Sequence, residues 1–155
     1  MKRIVASGLL ILFAFEFASY AGLDSKKTMY VGGTVSTLKE GVEGYSSCSD
    51  EKVFVFDYKG GKLTVPYEKV TALEYGQKAG RRIAVAILVS PIALFSKKRR
   101  HFLTITYLDD NTKQQAAVFE LGKNVIRTTL ASLEARTGKK IEYQDDEARK
   151  SAKGN

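Results

Sequence analysis

The stretch from Val53 to Val65 constrains this chain more than any other. Val53, Val55 and Asp57 alternate with Phe54, Phe56 and Tyr58, the two-residue period of a strand. Lys59-Gly60-Gly61-Lys62 intervenes, and Leu63-Thr64-Val65 follows. A Gly-Gly pair between two β-rich runs is a hairpin signature, because glycine reaches the positive φ of a tight turn cheaply. Pro66 then ends the ladder or sits on an edge, since it has no N–H to donate. Val70 to Tyr75 reads as another strand.

Strand signals recur on both sides. Thr28 to Val35 (TMYVGGTV) has β-branched and aromatic residues, and its Gly32-Gly33 pair predicts a bulge or a close backbone approach. Residues 40–50 are rich in Gly and Ser and predict a turn or a weak edge strand. His101 to Leu108 (HFLTITYL) has strong β propensity. Asp109 to Thr112 is a turn cluster, and Gln115 to Leu121 (QAAVFEL) is the return strand. Gly122 breaks it. Ile126, Leu130, Leu133 and Thr137 then recur at helical spacing, and Gly138 supplies the stop. The spacing predicts a helix from about residue 123 to 137. Residues 144–155 are polar and charged and read as a disordered tail.

Strands, a final hairpin, then one amphipathic helix: in this order the chain resembles the pleckstrin-homology-like superfamily, its GRAM-type and bacterial members in particular. Val53-Phe54-Val55-Phe56, Leu63-Thr64-Val65-Pro66-Tyr67 and Val70-Thr71-Ala72-Leu73-Glu74-Tyr75 look like that pattern of strand, turn, strand reaching a proline, and strand leading out with an acid. His101 to Leu108, Ala116 to Leu121 and the helix around Leu130 to Glu134 resemble the closing hairpin and helix. The resemblance covers residues 28–143. It implies a mainly β fold, a bent sheet pair (a small barrel or sandwich) plugged by one C-terminal helix. It also implies a binding or scaffolding module rather than an enzyme. A phosphoinositide site is not carried over, because a long apolar insertion stands between Tyr75 and His101 where a short loop is usual.

That insertion, residues 81–100, is the most informative segment. Ile83 to Phe95 (IAVAILVSPIALF) carries no charge. Arg81 and Arg82 precede it, Lys97, Lys98, Arg99 and Arg100 follow it, and no acid occurs between Glu74 and Asp109. As a helix the run is about 20 Å long, against a hydrocarbon core of about 30 Å, so it is too short for an ordinary span. Two readings stay open. In one, Ile87 and Leu88 contact a membrane while Arg81, Arg82, Lys97, Lys98, Arg99 and Arg100 hold anionic headgroups. In the other, the run packs on the domain's own sheet or at a dimer contact, and the module binds a protein partner.

The start of the chain reads as an export signal. Lys2 and Arg3 lead an apolar run from Ile4 to Phe15, and Ser19-Tyr20-Ala21 places small residues at the positions a signal peptidase reads. Cleavage after Ala21 predicts a mature start at Gly22, with residues 22–27 as a linker and a periplasmic or secreted product. Glu16 is the irregular residue in the signal, and an uncleaved membrane anchor is the alternative.

The chain has 25 basic and 17 acidic residues, a formal net charge of +8, which favours anionic partners. Export and the plain strand setting of His101, Phe102 and Tyr107 argue against nucleic acid, whose stacking platforms interleave aromatics with bases. A zinc site needs three or four protein ligands, and Cys48 and His101, the only cysteine and histidine, do not supply them. Neither a metal nor a cofactor is expected. Asp109-Asp110 lies in a turn, Ser46, Ser47 and Ser49 have no histidine nearby in sequence, and neither glycine pair makes a phosphate loop. No catalytic residue is assigned, and the expectation is a non-enzyme.

Overall fold

In the computed structural model, residues 26–77 and 100–154 are described. The protein is mainly β. Its strands are β1 (Thr28–Gly33), β2 (Val42–Ser47), β3 (Val53–Tyr58), β4 (Gly61–Pro66), β5 (Val70–Gly76), β6 (Phe102–Leu108), β7 (Gln114–Leu121) and β8 (Ile141–Tyr143). A 3₁₀ turn, Tyr67–Lys69, joins β4 to β5. Two helices follow β7: α1 (Ile126–Thr137) before β8, and α2 (Asp146–Lys153) after it.

The strands form one sheet in the order β4-β3-β2-β1-β7-β6-β5-β8. Two antiparallel meanders, β1 to β4 and β5 to β7, are joined where β1 pairs with β7. β8 adds in parallel to β5. β3 and β7 are three strand spacings apart, about 14 Å on a flat sheet. Yet the Phe119 ring of β7 lies 5.1 Å from Phe56 and 5.6 Å from Phe54, centroid to centroid. The sheet therefore bends strongly around its inner face. It does not close: β4 and β8 remain as its two edges, so the closed-barrel form of the expected architecture is not what forms. Pro66 lies on the edge strand β4, where its missing N–H costs no ladder bond.

The inner face holds the core. Tyr30, Phe54, Phe56, Leu73, Tyr75, Leu103, Ile105 and Phe119 are buried there, together with Ile126, Leu130 and Leu133 of α1. The predicted apolar stripe is thus the buried one. Gly138 ends the helix in the left-handed region at φ 69°, where glycine carries no Cβ penalty.

Three local expectations need correction. Residues 40–50 do hold a turn, at residues 40–41, but Val42–Ser47 form not an edge strand but the interior strand β2, paired on both sides. Glycine is needed there, because a Cβ on Gly44 would collide with the Asp57 carbonyl oxygen. α1 starts at Ile126 rather than near residue 123. Residues 144–155 are not a disordered tail, since Asp146–Lys153 are helical. The physical reason is a cap and two small residues. The Asp145 carboxylate accepts from the Ala148 N–H at 2.7 Å, and Ala148 and Ala152, one turn apart, join the core. The bulge expected at Gly32-Gly33 is present: the β1–β7 register shifts between Tyr30 and Gly32. Gly33 also approaches β7 so closely that a Cβ would strike the Ala116 carbonyl oxygen.

Candidate functional site

The region to build from is the root of the insertion. β5 ends at Gly76 and β6 begins at Phe102, and these two residues are register partners. Both stems of the long connection therefore rise from one end of the sheet. Seven of the eight residues proposed for membrane or anion contact, Arg81, Arg82, Ile87, Leu88, Lys97, Lys98 and Arg99, lie outside the described residues, as does the export segment 1–21.

Arg100 is described, and it is engaged. Its Nη1 donates to Glu120 Oε2 at 2.9 Å, and the two side chains are 18% and 8% exposed. Burial pushes the Glu120 carboxyl up, the Arg100 guanidinium pulls it back, and Glu43 adds a smaller upward push; the net direction is up. Glu43 is itself held by Lys27, Nζ to Oε2 at 2.9 Å. Arg100 thus serves the sheet, not an external anion.

Glu120 belongs to the outer face. Register pairs Phe102 with Glu120, Thr104 with Val118 and Thr106 with Ala116, and Met29 with Glu120 across β1. These side chains point away from the core cluster. They are nonetheless buried: Phe102 is 4% exposed, Val118 1% and Ala116 0%. On the same face of β2, Tyr45 is 58% exposed, and Asp57, Lys62 and Thr64 of β3 and β4 are exposed too. The outer face therefore has an exposed polar half and a buried apolar half.

Behind the root, Tyr75, His101 and Ser151 meet. Tyr75 Oη lies 2.6 Å from His101 Nδ1 and 3.2 Å from Ser151 Oγ. Burial pushes the imidazole down, with nearby Lys123 adding to the effect, so the ring is neutral at pH 7, and its tautomer sets which of Nδ1 and Tyr75 Oη donates to the other. Ser151 Oγ donates to the Ala148 carbonyl at 2.9 Å. This serine gives its proton to a carbonyl and does not touch the imidazole, so it lacks the base that activates a nucleophile. The cluster fastens α2 to the end of β5.

At the opposite side of the core, the Tyr67 hydroxyl is buried beside the Cys48 thiol and makes no good hydrogen bond among the described residues. Arg136 of α1 lies over the Tyr67 ring at 5.9 Å. Burial pushes the Cys48 thiol up, which leaves it protonated and unreactive. Among the described residues there is no group of three or more His, Cys, Asp or Glu that could hold a metal ion, and no helix long and apolar enough to cross a membrane.

Glu120 and the buried half of the outer face were missed in the sequence. A signal was present. Ala116 to Leu121 shows no polar alternation, the mark of a strand buried on both faces, and the one acid within it calls for a buried cation. Compared with known proteins, the chain matches no family model and no curated protein.

Proposed function

We propose that this protein is an exported, non-enzymatic binding module of pleckstrin-homology-like, GRAM-like type that contacts an anionic membrane surface through the segment rooted between β5 and β6. The strand order and the position of α1 against the inner face support the family reading; β8 and α2 are additions to it.

The observation that carries the membrane reading is the pairing of Gly76 with Phe102. Arg81 is five residues after Gly76, and Lys97 is five residues before Phe102. Five extended residues reach at most about 18 Å. Both basic flanks are therefore tethered to one end of the sheet, with no acid between Glu74 and Asp109 to offset them. Each base near an anionic surface contributes about 1 kcal/mol. Arg100, committed to Glu120, is left out of that set. Co-sedimentation of the protein with phosphatidylglycerol and phosphatidylcholine vesicles tests the reading: binding to the first and not to the second is expected.

The second reading is a protein-interaction module whose apolar insertion packs internally. The low exposure of Phe102 and Val118 on the outer face is compatible with it. It does not by itself supply a protein partner, and the basic flanks remain to be explained.

A further inference from the structure

We propose that Lys123, Arg127, Lys150 and Lys153 form a basic surface on the folded domain, where α1 starts and α2 ends, that binds the headgroups of an anionic membrane. The inference deepens the reading above and rests on it for the choice of partner.

The fold gathers these four bases at one end of the sheet. Leu121 N donates to the His101 carbonyl at 2.7 Å, and Gly122 N to the Lys27 carbonyl at 2.8 Å, so the chain leaves β7 beside the start of β6. Lys123 follows at once, close enough for its charge to act on the His101 ring. Arg127 lies in the first turn of α1. α2 reaches the same place from the other side: its Ser151 Oγ is 3.2 Å from Tyr75 Oη, which is 2.6 Å from His101 Nδ1. Lys150 and Lys153 are in the last turn of that helix. The two helices touch beyond it, for a Cβ on Gly154 would strike the Arg127 guanidinium.

All four are exposed, and among the described residues none of them makes an ion pair. Other bases are spent: Lys27 is paired with Glu43, Lys62 with Asp57, Lys69 with Asp110 and Arg100 with Glu120. On α2, Ala148 and Ala152 turn inward to the core, and Lys150 and Lys153, three residues apart, share another face. The acids of that helix stand at its opposite end. Asp145 accepts from the Ala148 N–H, Asp146 lies 4.0 Å from Arg149, and Glu147 is in the first turn.

The arrangement decides what kind of anion fits. The four bases come from a loop and two helices, and none is buried. No enclosed cradle for a single phosphate is built from them. Exposed bases spread over neighbouring elements suit a plane of many headgroups, where each adds its own attraction. The contact is ionic, so salt weakens it.

Co-sedimentation of the full chain with phosphatidylglycerol vesicles at low salt tests it, with three paired variants. Lys123→Gln with Arg127→Gln, and Lys150→Gln with Lys153→Gln, are each expected to weaken binding about 10-fold or more. Lys139→Gln with Lys140→Gln removes the same charge beyond the far end of α1, a helix of 12 residues and about 18 Å. That pair is expected to stay within about 3-fold of the unaltered protein. Thermal melts check that each variant folds; because the two test pairs lie on different elements, the loss of one leaves the other to decide. Both test pairs binding as the unaltered protein does overturns the proposal, and so does an equal loss in the Lys139 and Lys140 pair. The reading of the insertion is judged apart, by Lys97→Gln, Lys98→Gln, Arg99→Gln. If that variant is weakened and neither test pair is, only the present inference falls. If the test pairs are weakened and that variant is not, this surface makes the contact and the insertion does not. No binding by the unaltered protein ends both.

Discussion

Arg100 and Glu120 form an ion pair 2.9 Å long at the point where the insertion rejoins the sheet. One partner was expected to hold an external anion, and the other was not anticipated at all. Together they fix the direction in which the chain enters β6.

This pair predicts a pH-dependent stability effect. The folded pKa of Glu120 is raised, by burial first, with the Arg100 charge and hydrogen bond opposing. A raised carboxyl contributes stability that is present below its unfolded value of about 4.3 and is lost as pH rises through the folded value. Arg100→Ala removes the opposing cation, so the loss grows. Urea melts of Arg100→Ala are expected to show a deficit of about 1–3 kcal/mol at pH 7 that shrinks at pH 4, where Glu120 is protonated. A deficit that is equal at both pH values contradicts the assignment.

The helix α1 gives a second test. Leu130 and Leu133 are 4% and 0% exposed in the inner core. Truncating a buried leucine to alanine costs about 2–5 kcal/mol. Urea unfolding of Leu130→Ala and Leu133→Ala is expected to fall in that range, with Leu133 the larger because it is fully buried. Losses well under 1 kcal/mol at both sites would mean that α1 does not close the core.

Removal of residues 145–155 tests the C-terminal helix. It deletes the Asp145 cap and the buried Ala148 and Ala152, and it frees Tyr75 Oη from Ser151. The shortened chain is expected to melt at lower temperature and to show faster amide exchange in β5. A melting temperature equal to that of the full chain would restore the reading of this stretch as a tail without structure.

How much of this was readable before the structure differs by region. The β3–β4 hairpin and the stripe Ile126, Leu130, Leu133 were legible because each signal is local: a period of two with a Gly-Gly turn, and a period near 3.6. β2 was not, because Gly44 and Ser46 look like turn residues. Gly44 is there because Asp57 of the next strand passes too close for a side chain, and Ser46 bonds Thr28 across the sheet at 2.8 Å. β8 and α2 escaped for a similar reason. Three residues pairing with β5 and two alanines touching the core carry almost no pattern of their own. At the candidate site, the basic flanks were plain in the charge sequence. The role of Arg100 was hidden, since its partner lies twenty residues away on another strand.

The salt dependence of vesicle binding tests the central claim most directly. The protein and a Lys97→Gln, Lys98→Gln, Arg99→Gln variant are sedimented with phosphatidylglycerol vesicles over a range of salt. Three bases at about 1 kcal/mol each correspond to roughly a 100-fold loss of affinity, and the variant's salt dependence is expected to flatten. Arg100→Gln, by contrast, is expected to bind as the unaltered protein does. Failure of the unaltered protein to bind phosphatidylglycerol vesicles at low salt would contradict the account, and so would equal binding by the triple variant.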